Sequence, residues 1–140
     1  MTQAKIQSGA MQPLNASTVS PLDNRVGPLT RPLDVREAAA LGWNRRKEDR
    51  SRPAAGRDQD KLEHNLRWMQ QFADAYGARL APHGKTTMAP HLFEMQLIAG
   101  AWGITLATVQ QTLVAYHHGV RRVLMANQLV GRQNRNAIAE

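Results

Sequence analysis

The sequence predicts an α/β protein built on parallel strands, the opening part of an eight-stranded (β/α) barrel of the TIM type. Three observations predict it. From residue 58 onward, helical and extended segments alternate at roughly twenty residues per unit. The extended segments after the first are apolar on both faces, as strands covered by helices on two sides are. The chain has 140 residues, whereas a complete barrel of this kind typically takes about 250. Three strands cannot close a barrel, and an open three-stranded sheet leaves two hydrophobic edges bare. The expectation is an incomplete barrel over residues 58–140, a fragment in appearance, preceded by a poorly ordered arm and linker over residues 1–57.

Taken in order, the first 33 residues are rich in Pro, Ser, Thr and Gly and lack the apolar core of a signal peptide. Asp34 is placed to cap a short helix running through Leu41 and ending at Gly42. The following "NRRKEDRSRPAAGRD" has neither a helical nor a strand period and reads as a linker. In "DQDKLEHNLRWMQQFADAYG", residues Leu62, Leu66, Met69, Ala73 and Tyr76 recur at three- and four-residue spacing, which lines one face of a helix. Asp60 with Glu63 suits a capping box, and Gly77 a stop. "ARLAPHG" is short and extended, with Pro82 suited to a strand end. Pro90 then opens a second helix, "PHLFEMQLIAG", at the first-turn position that proline tolerates. The apolar, β-branched "AWGITLAT" reads as the second strand. Thr108 and Gln111 suit a capping box for the helix that Gly119 closes. "VRRVLMANQLV" is the third strand, and "GRQNRNAIAE" opens a further helix.

Composition narrows the function classes. Hydrophobic residues make up 42% and charged residues 21%, near globular averages, so wholesale disorder is not expected. The absence of cysteine excludes disulfides and thiolate metal sites. A net charge of +7 hints at nucleic acid, but it is spread out: residues 1–60 hold ten Lys/Arg against seven acids, and 61–140 eight against four. The densest basic run, "WNRRKEDRSR", contains Glu48 and Asp49 and has no accompanying aromatic ladder, so neither nucleic acid nor a membrane is an expected partner. No apolar run approaches the roughly 20 residues of a membrane span, and a cytoplasmic protein is expected.

The segment "LAPHGKTTMAP" carries the chemistry. Lys85 stands at the end of the first strand, and three uses of it compete with a plain solvated loop lysine. A phosphate-binding P-loop needs a glycine five positions before Gly84, where Arg79 stands, and Pro82 removes one of the donating amides. A metal site finds no ligand spacing among His83, His91, His117 and His118. His117 and His118 precede a helix-ending glycine, where imidazole meets the last carbonyls. A Schiff-base lysine must sit on a rigid element at the catalytic end of the fold. The carboxyl end of a parallel barrel strand meets that demand, and Gly84 would admit close approach of a flat ring.

The run "NLRWMQQFADAYGARLAPHGKTTMAPHLFEMQLIAGAWGITLAT" resembles the N-terminal part of the fold-type III pyridoxal-phosphate enzymes, whose barrel is that of the alanine racemase N-terminal domain. More narrowly it resembles the D-serine dehydratase and D-threonine aldolase group, which includes bacterial amino acid deaminases. There, a helix carrying an asparagine, here Asn65, leads to a strand ending in Pro-His-x-Lys-Thr, matched by Pro82, His83, Gly84, Lys85 and Thr86. The resemblance covers about Asp60 to Glu140.

It implies that Lys85 holds pyridoxal 5′-phosphate as a Schiff base and moves the proton at Cα of a D-amino acid. His83 would orient the cofactor or the lysine. Thr86 and Thr87 would touch the cofactor or cap the next helix, and Asn127 would face the same pocket or serve as a turn residue. The implied activity is that of a lyase or deaminase on D-serine- or D-threonine-type substrates. A homodimer is implied for a full-length form. Zinc, where relatives of this kind use it, would be held outside this chain, so no metal ligand is assigned.

Two departures stand out. "PAAGRD" occupies the place of an apolar strand in the group, with Gly56 and Arg57 where aliphatic residues belong, and "WNRRKED" has arginines where leucines would be unsurprising, so this segment is expected to pack poorly. The larger departure is that the rest of the barrel, its phosphate-gripping loops and the group's C-terminal β-domain have no counterpart in these 140 residues, which alone are expected to be insoluble or inactive. The alternatives are a non-catalytic cofactor-binding protein of the same fold type, a non-functional truncated product, and a basic nucleic-acid-binding fragment.

Overall fold

The structure is a computed structural model in which residues 17–23, 27–50 and 56–139 are described. They fall into two compact units, residues 17–23, 27–50 and 56–58 in one and residues 59–139 in the other.

In the first unit, β1 (Thr18–Val19) pairs antiparallel with β2 (Leu33–Asp34), placing Thr18 opposite Asp34 and Val19 opposite Leu33. Asp34 starts α1 (Val35–Ala40) as expected. Its Oδ1 accepts from the Arg36 amide at 2.6 Å, and Glu37 Oε2 accepts from the Asp34 amide at 3.2 Å. This reciprocal box satisfies amides that the first turn would otherwise leave open. Gly42 follows in the left-handed region. The segment read as a linker holds a local turn instead. Asn44 Oδ1 accepts from the Arg46 amide and Asp49 Oδ2 from the Asn44 amide, both at 2.8 Å, around the 3₁₀ turn Arg45–Lys47. Neither this turn nor the two-residue strands has a period to read. The linker's residues 51–55 lie outside the described residues, and 56–58 are exposed and form no strand.

The second unit opens with α2 (Gln59–Ala75). Because the helix starts at Gln59, Asp60 lies in its first turn, where a carboxylate suits the helix dipole, and is not its cap. Glu63 is engaged elsewhere: it accepts from Gln59 Nε2 at 2.9 Å and approaches Arg67 at 3.6 Å. The helix stops as expected at Gly77, with the Ala78 amide returning to the Ala73 carbonyl at 2.9 Å. Ala73 is buried and Leu62 and Leu66 are half-buried, but Met69 and Tyr76, expected on the same face, are exposed. Tyr76 instead ends an outer row with Phe72 and Trp68, their ring centroids 4.8 Å and 5.7 Å apart.

α3 (Pro90–Ala99), β3 (Ile104–Leu106), α4 (Val109–His117), β4 (Val123–Met125) and α5 (Arg132–Ala139) follow. β3 and β4 pair in parallel, with Ile104 opposite Val123 and Leu106 opposite Met125. The core gathers on β3: Phe93, Ile104, Leu106, Ala115 and Val120 are buried together, with Met88, Leu97 and Val123 packed against them. β3 is buried at every position, as expected. β4 is not, and Leu124 is exposed, because among the described residues β4 pairs with β3 alone.

α4 is capped by Thr108, whose Oγ1 accepts from the Gln111 amide at 3.2 Å. Gln111 does not return to Thr108 as the expected box requires; its Oε1 accepts from the Ala107 amide at 2.9 Å, one residue further back. At the other end, Arg121 and the Gly119 amide donate to the Tyr116 carbonyl, the position expected for the imidazoles. The His118 ring lies edge-on to His117 with its Nδ1 buried and unpartnered among the described residues. Burial, reinforced by the nearby His117, holds its pKa below the ordinary histidine value. The unfolded chain therefore binds a proton here more readily than the folded one. Stability at this site is complete above the usual histidine pKa of about 6.5 and declines as pH falls through it toward the lowered folded value. His118→Gln is expected to flatten the fall in urea midpoint between neutral and mildly acidic pH.

Candidate active site

The site is built on the extended segment 80–84. Hydrogen bonds join it to β3 and to the residue two before that strand: Trp102 N to Leu80 O at 2.7 Å, Thr105 N to Pro82 O at 2.8 Å, and Gly84 N to Thr105 O at 2.9 Å. The pairing is parallel, with His83 opposite Thr105. The expected first strand is thus present as one bridge and not as a continuous ladder. Pro82 is the reason, since it lacks the amide that the next rung would need. Segment 80–84, β3 and β4 accordingly run side by side in one direction, with β3 in the middle.

Lys85 follows at the carboxyl end of that segment. It begins a tight turn, residues 85–87, which the Met88 amide closes on the Gly84 carbonyl at 2.9 Å. Met88 takes a left-handed φ of 43°, a conformation that costs a non-glycine residue about 1 kcal/mol or more. Its side chain is packed on the core, which holds it there. Main-chain bonds fix both ends of the turn while Lys85 itself is exposed. An amine on a rigid base, open to a ligand, is what imine formation with a carbonyl compound requires.

The other expected residues fall around the same rim. Asn127 follows β4, just past Ala126, whose amide extends the ladder to Leu106 O at 2.8 Å. Lys85 and Asn127 therefore flank the carboxyl end of β3. Asn127 Oδ1 accepts from the Gln128 amide at 2.9 Å, so it also serves as the turn residue. His83 is exposed at the bridge, two residues before Lys85. Thr86 and Thr87 are exposed in the turn and do not cap α3, whose N-cap position is Ala89, with no side-chain hydrogen bond. The turn uses three residues before the helix can start, which leaves both threonines too early. Among the described residues, no cluster of His, Asp or Glu could hold a metal ion, and no helix is long and apolar enough to cross a membrane.

Gly84 has a different role from the one its place beside Lys85 suggests. A Cβ there would meet Phe93 at 2.5 Å and Ile104 at 2.8 Å. The space is filled by the protein's own core, not held open for a ring. Gly84→Ala is expected to cost about 1–3 kcal/mol by overpacking, seen as a lower urea midpoint, and to shift the turn that carries Lys85.

Two residues escaped the sequence reading. Met88 gave no signal, since a left-handed methionine has no pattern. Thr105 did: a lone hydroxyl in an apolar strand that is buried on every side must find a partner.

Comparison with known proteins places similar sequences and folds beside this chain. No family model matches the chain. It is 39% identical over 74 residues to D-threo-3-hydroxyaspartate dehydratase of Delftia sp. (strain HT23), covering 53% of this chain and 20% of that protein. It is 34% identical over 79 residues to D-threonine aldolase of Arthrobacter sp, covering 56% and 21%. The structure overlays the crystal structure of D-threonine aldolase from Filomicrobium marinum with a TM-score of 0.63 at 34% identity, over 65% of this chain and 24% of that one. The chain is a homologue of these two enzymes. D-threo-3-hydroxyaspartate dehydratase is matched in structure as well, a histidine-to-alanine variant giving a TM-score of 0.59 at 34% identity over 64% of this chain and 23% of that one. The homologous stretch spans about a fifth of the length of these curated relatives.

Proposed function

We propose that the chain is part of a pyridoxal 5′-phosphate-dependent lyase acting on D-3-hydroxy amino acids, with Lys85 as the cofactor-binding lysine. In this reading segment 80–84, β3 and β4 are the opening strands of a (β/α)8 barrel. The observation that supports it best is the position of Lys85. It is exposed, at the carboxyl end of a segment running parallel to β3, on a turn tied at both ends. Active sites of such barrels lie on that face. The names of the two homologues add the substrate class, D-configured amino acids bearing a 3-hydroxyl group.

The residues at the rim suit the cofactor. Lys85 offers an amine for its aldehyde, while the exposed His83, Thr86 and Asn127 offer an imidazole, a hydroxyl and an amide for its polar groups. When bound, the cofactor supplies an electron sink for the carbanion formed at Cα. The part of this chain is to hold it and to move the proton. Lys85 would hold the cofactor through its amine and, once that amine is free, would serve as the base that takes the Cα proton in dehydration. In dehydration, that proton and the 3-hydroxyl leave as water. The resulting enamine becomes an imine that water hydrolyses, giving a 2-oxo acid and ammonia. In aldol cleavage the Cα–Cβ bond would break instead of Cα–H: the 3-hydroxyl would give up its proton to a base as it becomes the aldehyde carbonyl, and Cα would take up a proton to leave as glycine.

Displacement of the lysine can be read without turnover. The chain is loaded with pyridoxal phosphate, exposed to an amino acid and then reduced with borohydride. D-threonine is expected to lower the labelling of Lys85 by moving the cofactor onto its own amine, and L-threonine to leave it unchanged. Equal protection by both enantiomers would remove the substrate assignment.

A further inference from the structure

We infer that Thr105, a buried residue, is a positioning residue for Lys85. This rests on the Schiff-base reading above. Thr105 is 2% exposed and grips the lysine-bearing segment at three residues. Its amide donates to Pro82 O, its carbonyl accepts from Gly84 N, and its hydroxyl donates to Ala81 O. The first two bonds are ordinary rungs of a parallel pairing. The third is not. Among the described residues no main-chain amide reaches Ala81 O, and Pro82 cannot contribute a donor of its own. The hydroxyl of Thr105 thus supplies the attachment that the proline removes.

That attachment acts directly on the rim. From Ala81 to Lys85 is four residues, and Gly84, the last before the lysine, is held by Thr105 at its amide and by Met88 at its carbonyl. If the hydroxyl is lost, the Ala81 carbonyl is left without a donor in a half-buried place. The segment then gains by turning toward water or another donor. The bridge at His83, already a single rung, has little ladder on either side to resist that turn. The amine at the end of the segment moves with it.

Thr105→Val keeps the β-branched shape and removes only the hydroxyl. In the full chain it is expected to weaken pyridoxal phosphate binding about tenfold, the scale of one lost hydrogen bond that leaves an unpaired group. Binding is read from the visible absorbance of the lysine–cofactor linkage and from borohydride-trapped label at Lys85. Thr105→Ser, which retains the hydroxyl, is expected to restore both. Val120→Ala, a core truncation away from the segment, is expected to lower the melting temperature without changing cofactor affinity. If Thr105→Val does not fold, Thr105→Ala at lower temperature reads the same loss. Wild-type affinity in the hydroxyl-free variant, or an equal loss in Val120→Ala, would overturn the positioning role. Absence of label on Lys85 in the unmodified chain would instead overturn the Schiff-base reading itself.

Discussion

Lys85→Ala is expected to abolish covalent capture of pyridoxal phosphate and, in a full-length form, to lower turnover of D-3-hydroxy amino acids by at least about a thousandfold, the scale on which loss of a covalent catalyst is felt. Lys85→Arg is the more telling variant. It keeps the positive charge, the length and the exposed position on the turn, and a solvated loop lysine would tolerate it. A guanidinium, however, stays protonated in proteins and does not attack a carbonyl. On the Schiff-base account arginine therefore fails as completely as alanine. Absorbance of the bound cofactor, compared across the two variants and the unmodified chain, separates the readings. Activity retained by Lys85→Arg would point to charge alone.

Phe93→Ala carries the largest expected cost to stability, about 3–5 kcal/mol. Phe93 is 1% exposed and sits at the centre of the buried cluster with Ile104, Leu106, Ala115 and Val120. Its ring also occupies the space beside Gly84, where an added Cβ would approach it within 2.5 Å. Removing the ring therefore opens a cavity directly beneath the turn that carries Lys85. Small domains are stable by about 5–15 kcal/mol in all, so a loss of this size leaves little margin. The urea midpoint is expected to fall steeply, and cofactor capture to fall with it even where the variant remains folded. A fall in midpoint equivalent to less than about 1 kcal/mol, well below the range for truncating a buried aromatic ring, would mean that the cluster is not the core.

How much of this was legible in the sequence varies with the physics of each part. The long helices were, because α2, α3 and α4 combine apolar spacing with punctuation by Pro90, Gly77, Gly100 and Gly119. Asp34 announced α1 through cap chemistry alone. Strand β3 was legible from its unbroken apolar character, and the parallel order followed from the alternation of elements. The first strand was legible in place but not in form, since one proline reduced it to a single bridge. The outer half of α2's face was misread at Met69 and Tyr76. Periodicity identifies a stripe but not what covers it, and among the described residues both side chains stay exposed. The short pieces of the first unit, β1 with β2 and the Asn44 turn, depend on pairings between distant residues or on single side-chain bonds, which leave no repeat. At the site, the place of Lys85 just past the first strand was legible from its neighbours Pro82, His83 and Thr86, whereas Gly84 was misread, because the space beside it is filled by Phe93 and Ile104. Thr86 and Thr87 were misplaced as caps because the turn before α3 is longer than the spacing suggested. Thr105 and Met88 act through hydrogen bonding and backbone geometry, neither of which has a sequence period.

The central claim is that one amine, at residue 85, condenses with an aldehyde cofactor. The chain has four lysines, Lys5, Lys47, Lys61 and Lys85, so reduction with borohydride in the presence of substoichiometric pyridoxal phosphate, followed by peptide mapping, decides it directly. The account predicts label on the peptide containing Lys85 and essentially none on the other three. Label spread evenly over all four lysines, or concentrated on one of the others, would contradict it.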